Sequence, residues 1–271
     1  MRGWWREIAG LVLPVACGGC GRPRTELCPA CRADLAGPGP RRVRPLPEPA
    51  GLPVVHASAP YAGAVRSVLL AHKERGALSL AGPLGSALAG AVEAAAERSG
   101  ASGAVPLLLV PVPSSRRSVR ARGHDPTRRI ALAAAGRLRR QGRAARVIPV
   151  LRQRRAVADQ SGLGARGRFA NLAGALEVLA GGARLMERGQ VVLVDDLMTT
   201  GASLVEAARA LRAVHRPFIP GAAEGTADGA AGGTPESGFV QPAAAVVACS
   251  PASFEINRNW RRTCIVAGGE R

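Results

Sequence analysis

Residues 191–203, VVLVDDLMTTGAS, decide how this chain folds. The unbroken apolar run from Val191 to Val194 reads as a parallel strand buried on both faces. Asp195 and Asp196 follow at its C-terminal end, where open α/β sheets present their ligands. Thr199, Thr200, Gly201, Ala202 and Ser203 then turn the chain into a helix over 201–214. A small, hydroxyl-rich turn at a helix N-terminus offers backbone N–H groups and a positive dipole end to a phosphate. The neighbouring carboxylates accept hydrogen bonds from sugar hydroxyls. The spacing therefore predicts a site for a ribose 5-phosphate, the bland alternative being an acid that merely caps the turn.

Outward from this stretch, strands and helices alternate. A short strand opens at VVHASAPYAG, a helix runs over 62–74 with Gly76 as its stop, and an alanine-rich helix follows over about 78–98. The strand VPLLLVPVP (105–113) leads into the loop SSRRSVRARGHDP. A helix over about 126–141 and the strand RVIPVL come next, then a mobile loop marked by Gly162, Gly164 and Gly167 and a strand near 174–178. The strands 190–194 and 243–249 complete an α/β fold: a mostly parallel sheet flanked by helices, over residues 54–271. Residues 36–53, rich in proline and glycine, read as a linker. The block 215–242, with six glycines, four prolines and three acids, reads as a disordered insertion.

Ahead of the linker, Cys17-Gly-Gly-Cys20 and Cys28-Pro-Ala-Cys31 are two C-x2-C knuckles. That pattern suits four thiolates around one tetrahedral Zn²⁺. Two disulfides, a redox pair and iron–sulfur ligation are the alternatives. Residues 1–35 then form a small zinc ribbon with an N-terminal helix, of which residues 17–31 are expected to unfold on chelation while the main domain survives. Glu7 and Pro14 interrupt what would otherwise resemble an export signal, and no stretch approaches the ~20 apolar residues of a spanning helix. The cytoplasm, with no membrane partner, is the expectation.

The net charge is +18, and it is concentrated: segment 114–168 holds sixteen arginines against Asp125 and Asp159, contributing +14. Such a field attracts polyphosphates or nucleic-acid backbones. Lys73 is the only lysine. His56, His72, His124 and His215 lack metal-ligand spacing or a catalytic partner and read as structural or exposed. Cys249 and Cys264 read as buried small residues.

All thirteen positions of 191–203 resemble the phosphoribosyl-pyrophosphate (PRPP) signature of type I phosphoribosyltransferases. The resemblance implies that Asp195 and Asp196 hold the ribose hydroxyls and that residues 199–203 bind the 5-phosphate. Members acting on 6-oxopurines usually carry an aspartate where Thr199 stands, so purine salvage is not the expectation here. The two knuckles, YAGAVRSVLLAHKERG, VPVPSSRRSVRARGHDP, QSGLGARGRFANLAGAL and the PRPP turn together resemble, in order, the ComF family. These are competence-associated proteins that join a zinc ribbon to a phosphoribosyltransferase-like domain. The resemblance implies a pyrophosphate site at the loop 111–116, with Lys73, Arg116 and Arg122 as contacts, and Mg²⁺ carried by PRPP. It also implies a flexible cover over 160–168, including Gln160, Ser161 and Arg166. The chain departs from the family's RGFNQ-like sequence at Arg122-Gly123-His124-Asp125-Pro126, which loosens any ligand contact at 125 or 126.

Two functions follow as expectations. One is a Mg²⁺-dependent transfer of ribose 5-phosphate from PRPP to an acceptor. The other is a non-catalytic module that handles single-stranded DNA, with competence or recombination proteins as partners. Segment 114–168 contains no Trp, Tyr or Phe to stack bases, so DNA contact there would be backbone-driven and salt-dependent.

Overall fold

The computed structural model describes residues 15–97, 105–155, 157, 164–214 and 242–254. Helix α1 (Pro29–Ala36) follows the cysteine knuckles, and strands β1 (Arg41–Val43) and β2 (Val55–Pro60) lead into α2 (Gly63–Glu74). A 3-10 turn (Leu78–Leu80) and α3 (Ala81–Glu97) precede β3 (Leu107–Pro111), α4 (Arg116–Arg122) and α5 (Pro126–Arg140). Then come β4 (Ala145–Val147), β5 (Leu151–Gln153), α6 (Ala165–Leu172), β6 (Leu176–Val178) and α7 (Gly182–Met186). The long β7 (Gln190–Met198), α8 (Ala202–Arg212) and β8 (Ala243–Cys249) complete the order.

Six strands form one sheet in the order β1-β2-β8-β7-β3-β4, parallel except for the antiparallel edge strand β1. The fold class read from the sequence is therefore observed: α/β, a mostly parallel sheet flanked by helices. The central strands are apolar on both faces. Val192 and Val194 of β7 join Ala243, Ala245 and Val247 of β8 on the face covered by α3 and α5. Leu193, Ala244 and Val246 face the opposite side, against α8. This is the period-two alternation of a strand buried on both sides. With aromatics at 3% of the chain, packing relies on small residues brought close together. A Cβ on Gly85 of α3 would stand 2.8 Å from the α5 backbone at Ala133 and Ala134.

Several boundaries differ from the sequence reading. Residues 41–43, within the stretch read as a linker, pair with 55–57 as a sheet edge. The segment after β3, read as a loop, contains α4, with Ser115 accepting at its start from the Ser118 N–H at 3.0 Å. RVIPVL is not one strand. Pro149 lacks the N–H a ladder requires, and the chain divides there: β4 joins the main sheet, while β5 pairs antiparallel with β6 in a separate two-stranded sheet. Residues Leu78–Glu97 have the length and mean hydropathy, 1.2, of a membrane span, contrary to the expectation of no such stretch. Here Leu80, Leu84, Leu88 and Val92 of this segment are buried in the core, the usual placement of a core helix. Residues 1–14 and 215–241 lie outside the described residues, as do the expected N-terminal helix, His215 and Cys264.

The antiparallel β5–β6 pair, with α6 and α7, forms a hood on α8. Glu206 of α8, 4% exposed, accepts from the Leu176 N–H at 2.9 Å. Arg209 binds both Glu206 oxygens and also the Leu176 carbonyl at 2.8 Å. Burial alone would raise the Glu206 pKa, but Arg209 and the Leu176 N–H outweigh it and hold the carboxyl below its usual range. Two hydrogen bonds to the Leu176 backbone, made by an ion pair internal to α8, thus tie the hood to the helix that carries the turn.

Candidate functional site

An open cleft of about 1550 Å³ lies at the C-terminal end of β3 and β7. The end of α2 and α4 form one wall, the hood the other, and Asp195, Asp196, Thr199 and Ser203 lie along its floor. The sheet extends further than the sequence indicated. β7 continues to Met198, with Asp195 in register with Val246, so the acids lie within the strand rather than after it.

Both carboxylates are buried, at 9% and 5% exposure. Asp195 Oδ1 accepts from the Asp196 N–H at 2.8 Å and from Thr127 Oγ1 of α5 at 3.4 Å. Asp196 Oδ2 accepts from Lys73 Nζ of α2 at 2.8 Å. Burial and the adjacent Asp196 carboxylate push the Asp195 pKa well above its usual value, against the pull of Lys73. Asp196 in turn raises the Lys73 pKa, which keeps the ammonium charged. The floor therefore carries a dense, partly compensated acid pair facing an open cleft.

The turn follows directly. Gly201 has φ +81°, a left-handed conformation that costs little only without a Cβ. It starts α8 with no side-chain cap, leaving the first-turn N–H groups directed outward. Ala202 N–H donates weakly to Thr200 Oγ1 at 3.4 Å. A small recess bounded by Asp195 and residues 197–204 adjoins the main cleft here.

The cleft brings together most of the residues singled out in the sequence. Lys73, Arg116, Arg122, Asp195, Asp196, Thr199 and Ser203 all line it, as does the loop 112–116. Arg122, however, is held in a two-point ion pair with Glu74, at 2.6 and 2.9 Å. Arg166 is exposed and lies away from the cleft. Gln160 and Ser161 lie outside the described residues. Asp125 caps α5 by accepting from the Arg128 N–H at 3.1 Å.

Thr127, which the sequence did not single out, and Arg168, the last residue of the expected flexible cover, also belong here. Thr127 is buried on the same stripe of α5 as Ile130 and Ala131, and a polar residue on an apolar stripe was the available signal. Arg168 of α6 lines the hood wall, its Nη1 donating to Thr199 Oγ1 at 3.2 Å. Leu172, four residues on, lines the cleft too, and that i, i+4 relation marks the inward face. His72 and His124 also meet edge to face, with ring centroids 5.6 Å apart. Burial lowers the His72 pKa, which favours the neutral imidazole.

The four knuckle cysteines converge. Their Sγ atoms all lie within 4.8 Å of one another, and Cys17, Cys28 and Cys31 are buried while Cys20 is exposed. The Cys28 N–H donates to Cys17 Sγ at 3.3 Å. Burial raises the Cys17 thiol pKa, yet N–H donors from Cys28, Cys20 and Gly19 outweigh it and bring it down to about 6. Cys31 shifts upward through burial and the crowding sulfurs. Four sulfurs at this spacing could bind a metal such as zinc, which would relieve that crowding. The unit is continuous with the main core: Cys17, Leu27, Cys28, Cys31 and Leu35 share a buried cluster with α2 and α3. Cys249 is buried, its thiol pKa pushed up to about 12.

Compared with known proteins, the chain matches no family model and no curated protein.

Proposed function

We propose that the cleft binds PRPP and that the protein is a ComF-type phosphoribosyltransferase-like protein, moving ribose 5-phosphate onto an acceptor. The observation that carries this reading is the buried Asp195–Asp196 pair at the end of a central parallel strand, directly before the uncapped N-terminus of α8. The carboxylates accept from the ribose 2- and 3-hydroxyls, and the turn 199–203 receives the 5-phosphate. The acceptor's lone pair forms a bond to C1 as the C1–oxygen bond breaks and its electrons leave with pyrophosphate; the acceptor's proton passes to solvent.

That step builds positive charge on the sugar and negative charge on the leaving group. Donors fixed beside the leaving group stabilise it. Lys73 and Arg116 line that wall, and Arg122 is available once Glu74 releases it. Among the described residues only the cysteine set groups three or more metal-type ligands. Mg²⁺ would arrive bound to PRPP, where it would neutralise pyrophosphate charge. Zinc at Cys17, Cys20, Cys28 and Cys31 has all four positions filled by protein, which suits a structural role.

A second reading, single-stranded DNA binding, is favoured by α4. Arg116, Arg117 and Arg120 form no ion pair among the described residues. It predicts backbone contacts whose affinity falls steeply with salt.

The test is calorimetry with PRPP and Mg²⁺ on wild type and on the folded D195A/D196A double variant. Binding by wild type that disappears in the variant supports the site; equal binding by both refutes it. If wild type binds no PRPP, DNA titration across salt decides for the second reading.

A further inference from the structure

Arg168 differs from Arg154 and Arg155, the two guanidinium groups beside it on the hood wall of the cleft. Arg155 Nη2 donates to the carbonyls of Asn171 and Ala173, and Arg154 stands 3.6 Å from Glu177. Arg168 has no ion pair among the described residues, and its Nε–H is buried without an acceptor. Its Nη1 is meanwhile fixed to the hydroxyl of Thr199, the first residue of the turn, at 3.2 Å. A buried, unmatched N–H on a cation is costly unless something fills it. The Nε edge of a guanidinium is the edge that grips an oxyanion at two points.

We propose that Arg168 is a specificity-determining residue that closes over the 5-phosphate of the ligand, so that the hood and the turn hold one phosphate between them. This rests on the reading of the cleft as a PRPP-type pocket. The opposite wall, with Lys73 and Arg116, serves the pyrophosphate end, whereas Arg168 stands at Thr199 and shares the cleft with Ser203. Phosphate binding then pulls on α6 directly. An unphosphorylated ribose loses both the turn and the guanidinium, so discrimination exceeds what backbone amides alone supply.

The experiment titrates the full-length protein with ribose 5-phosphate and, separately, with inorganic pyrophosphate. The variants are R168Q, R168K and, as a charge control, R184Q on the exposed end of α7. R168Q should bind ribose 5-phosphate about tenfold more weakly or worse, as expected for losing a charge-assisted hydrogen bond, with pyrophosphate affinity unchanged. R168K, which keeps the charge and loses the two-point edge, should fall between; R184Q should match wild type. Equal weakening for both ligands, or none for ribose 5-phosphate in R168Q and R168K, overturns the assignment while the pocket reading stands. A folded wild type that binds neither ligand overturns the pocket reading itself, and Arg168 with it.

Discussion

Lys73 and Asp196, 123 positions apart, form an ion pair across 2.8 Å that joins the end of α2 to the end of β7. The carboxylate is buried and the lysine one-third exposed, so the cleft floor is assembled from opposite parts of the chain by one contact that a ligand must negotiate.

Replacing Lys73 by Met strands the buried carboxylate. Solvent at the lysine screens the pair, so the cost should be about 1 kcal/mol rather than the ~3–5 of a fully buried pair. Because Asp196 raises the Lys73 pKa, this contribution is complete below the unfolded lysine value of about 10.4 and is lost as pH rises through the higher folded value. Urea melts of wild type and K73M should differ at pH 7 and converge at strongly alkaline pH.

Asp195 shifts in the same direction, but for burial rather than for pairing. Its folded pKa is raised by burial and by Asp196, so the native state binds more protons than the unfolded state, and stability falls as pH rises through the folded value. D195N keeps an oxygen for the Asp196 N–H and the Thr127 hydroxyl without the buried charge. It should melt a few degrees higher than wild type at pH 8, with a smaller gain near pH 4, while ligand binding is lost. Thermal scans at both pH values check the sign.

Glu206→Ala removes the acceptor for the buried Leu176 N–H and frees Arg209. A stranded buried donor costs about 1–3 kcal/mol. The Glu206 pKa is depressed, so its contribution is present above the unfolded value of about 4.3 and lost as pH falls through the lower folded value. Hydrogen exchange should show β5–β6 opening before the main sheet in E206A, and together with it in wild type.

Metal removal should affect the whole molecule. Cys17, Cys28, Cys31 and Leu35 are buried with Leu80, Leu84 and Leu88, so the knuckles do not form a separable unit in packing terms. A chelator or C28S should lower one cooperative transition for the full chain, in contrast to the local unfolding that the spacing alone suggests. Calorimetry beside a zinc assay at one ion per chain distinguishes the two.

The sequence was most legible where local chemistry dictates structure. Uninterrupted apolar runs marked β7 and β8, and the Gly201 turn marked the start of α8. Paired cysteine spacing marked the cluster. It was least legible where placement depends on distant partners. Arg166 and Arg168 lie two residues apart on α6, hence on nearly opposite faces, and only the packed hood decides which one faces inward. β1 lies among prolines and glycines and is a strand only because β2 offers it an edge. The Glu74–Arg122 pair joins residues 48 apart, beyond the reach of any local pattern.

The strand order has a consequence for synthesis. β8, the last strand described, fills the slot between β2 and β7. While a ribosome is still delivering residues before 243, those two strands have no shared partner, and the nascent chain presents two open parallel edges. Such edges invite pairing with other chains. Completion of the sheet, and with it the setting of Asp195 beside Val246, must wait until residues 243–249 have emerged.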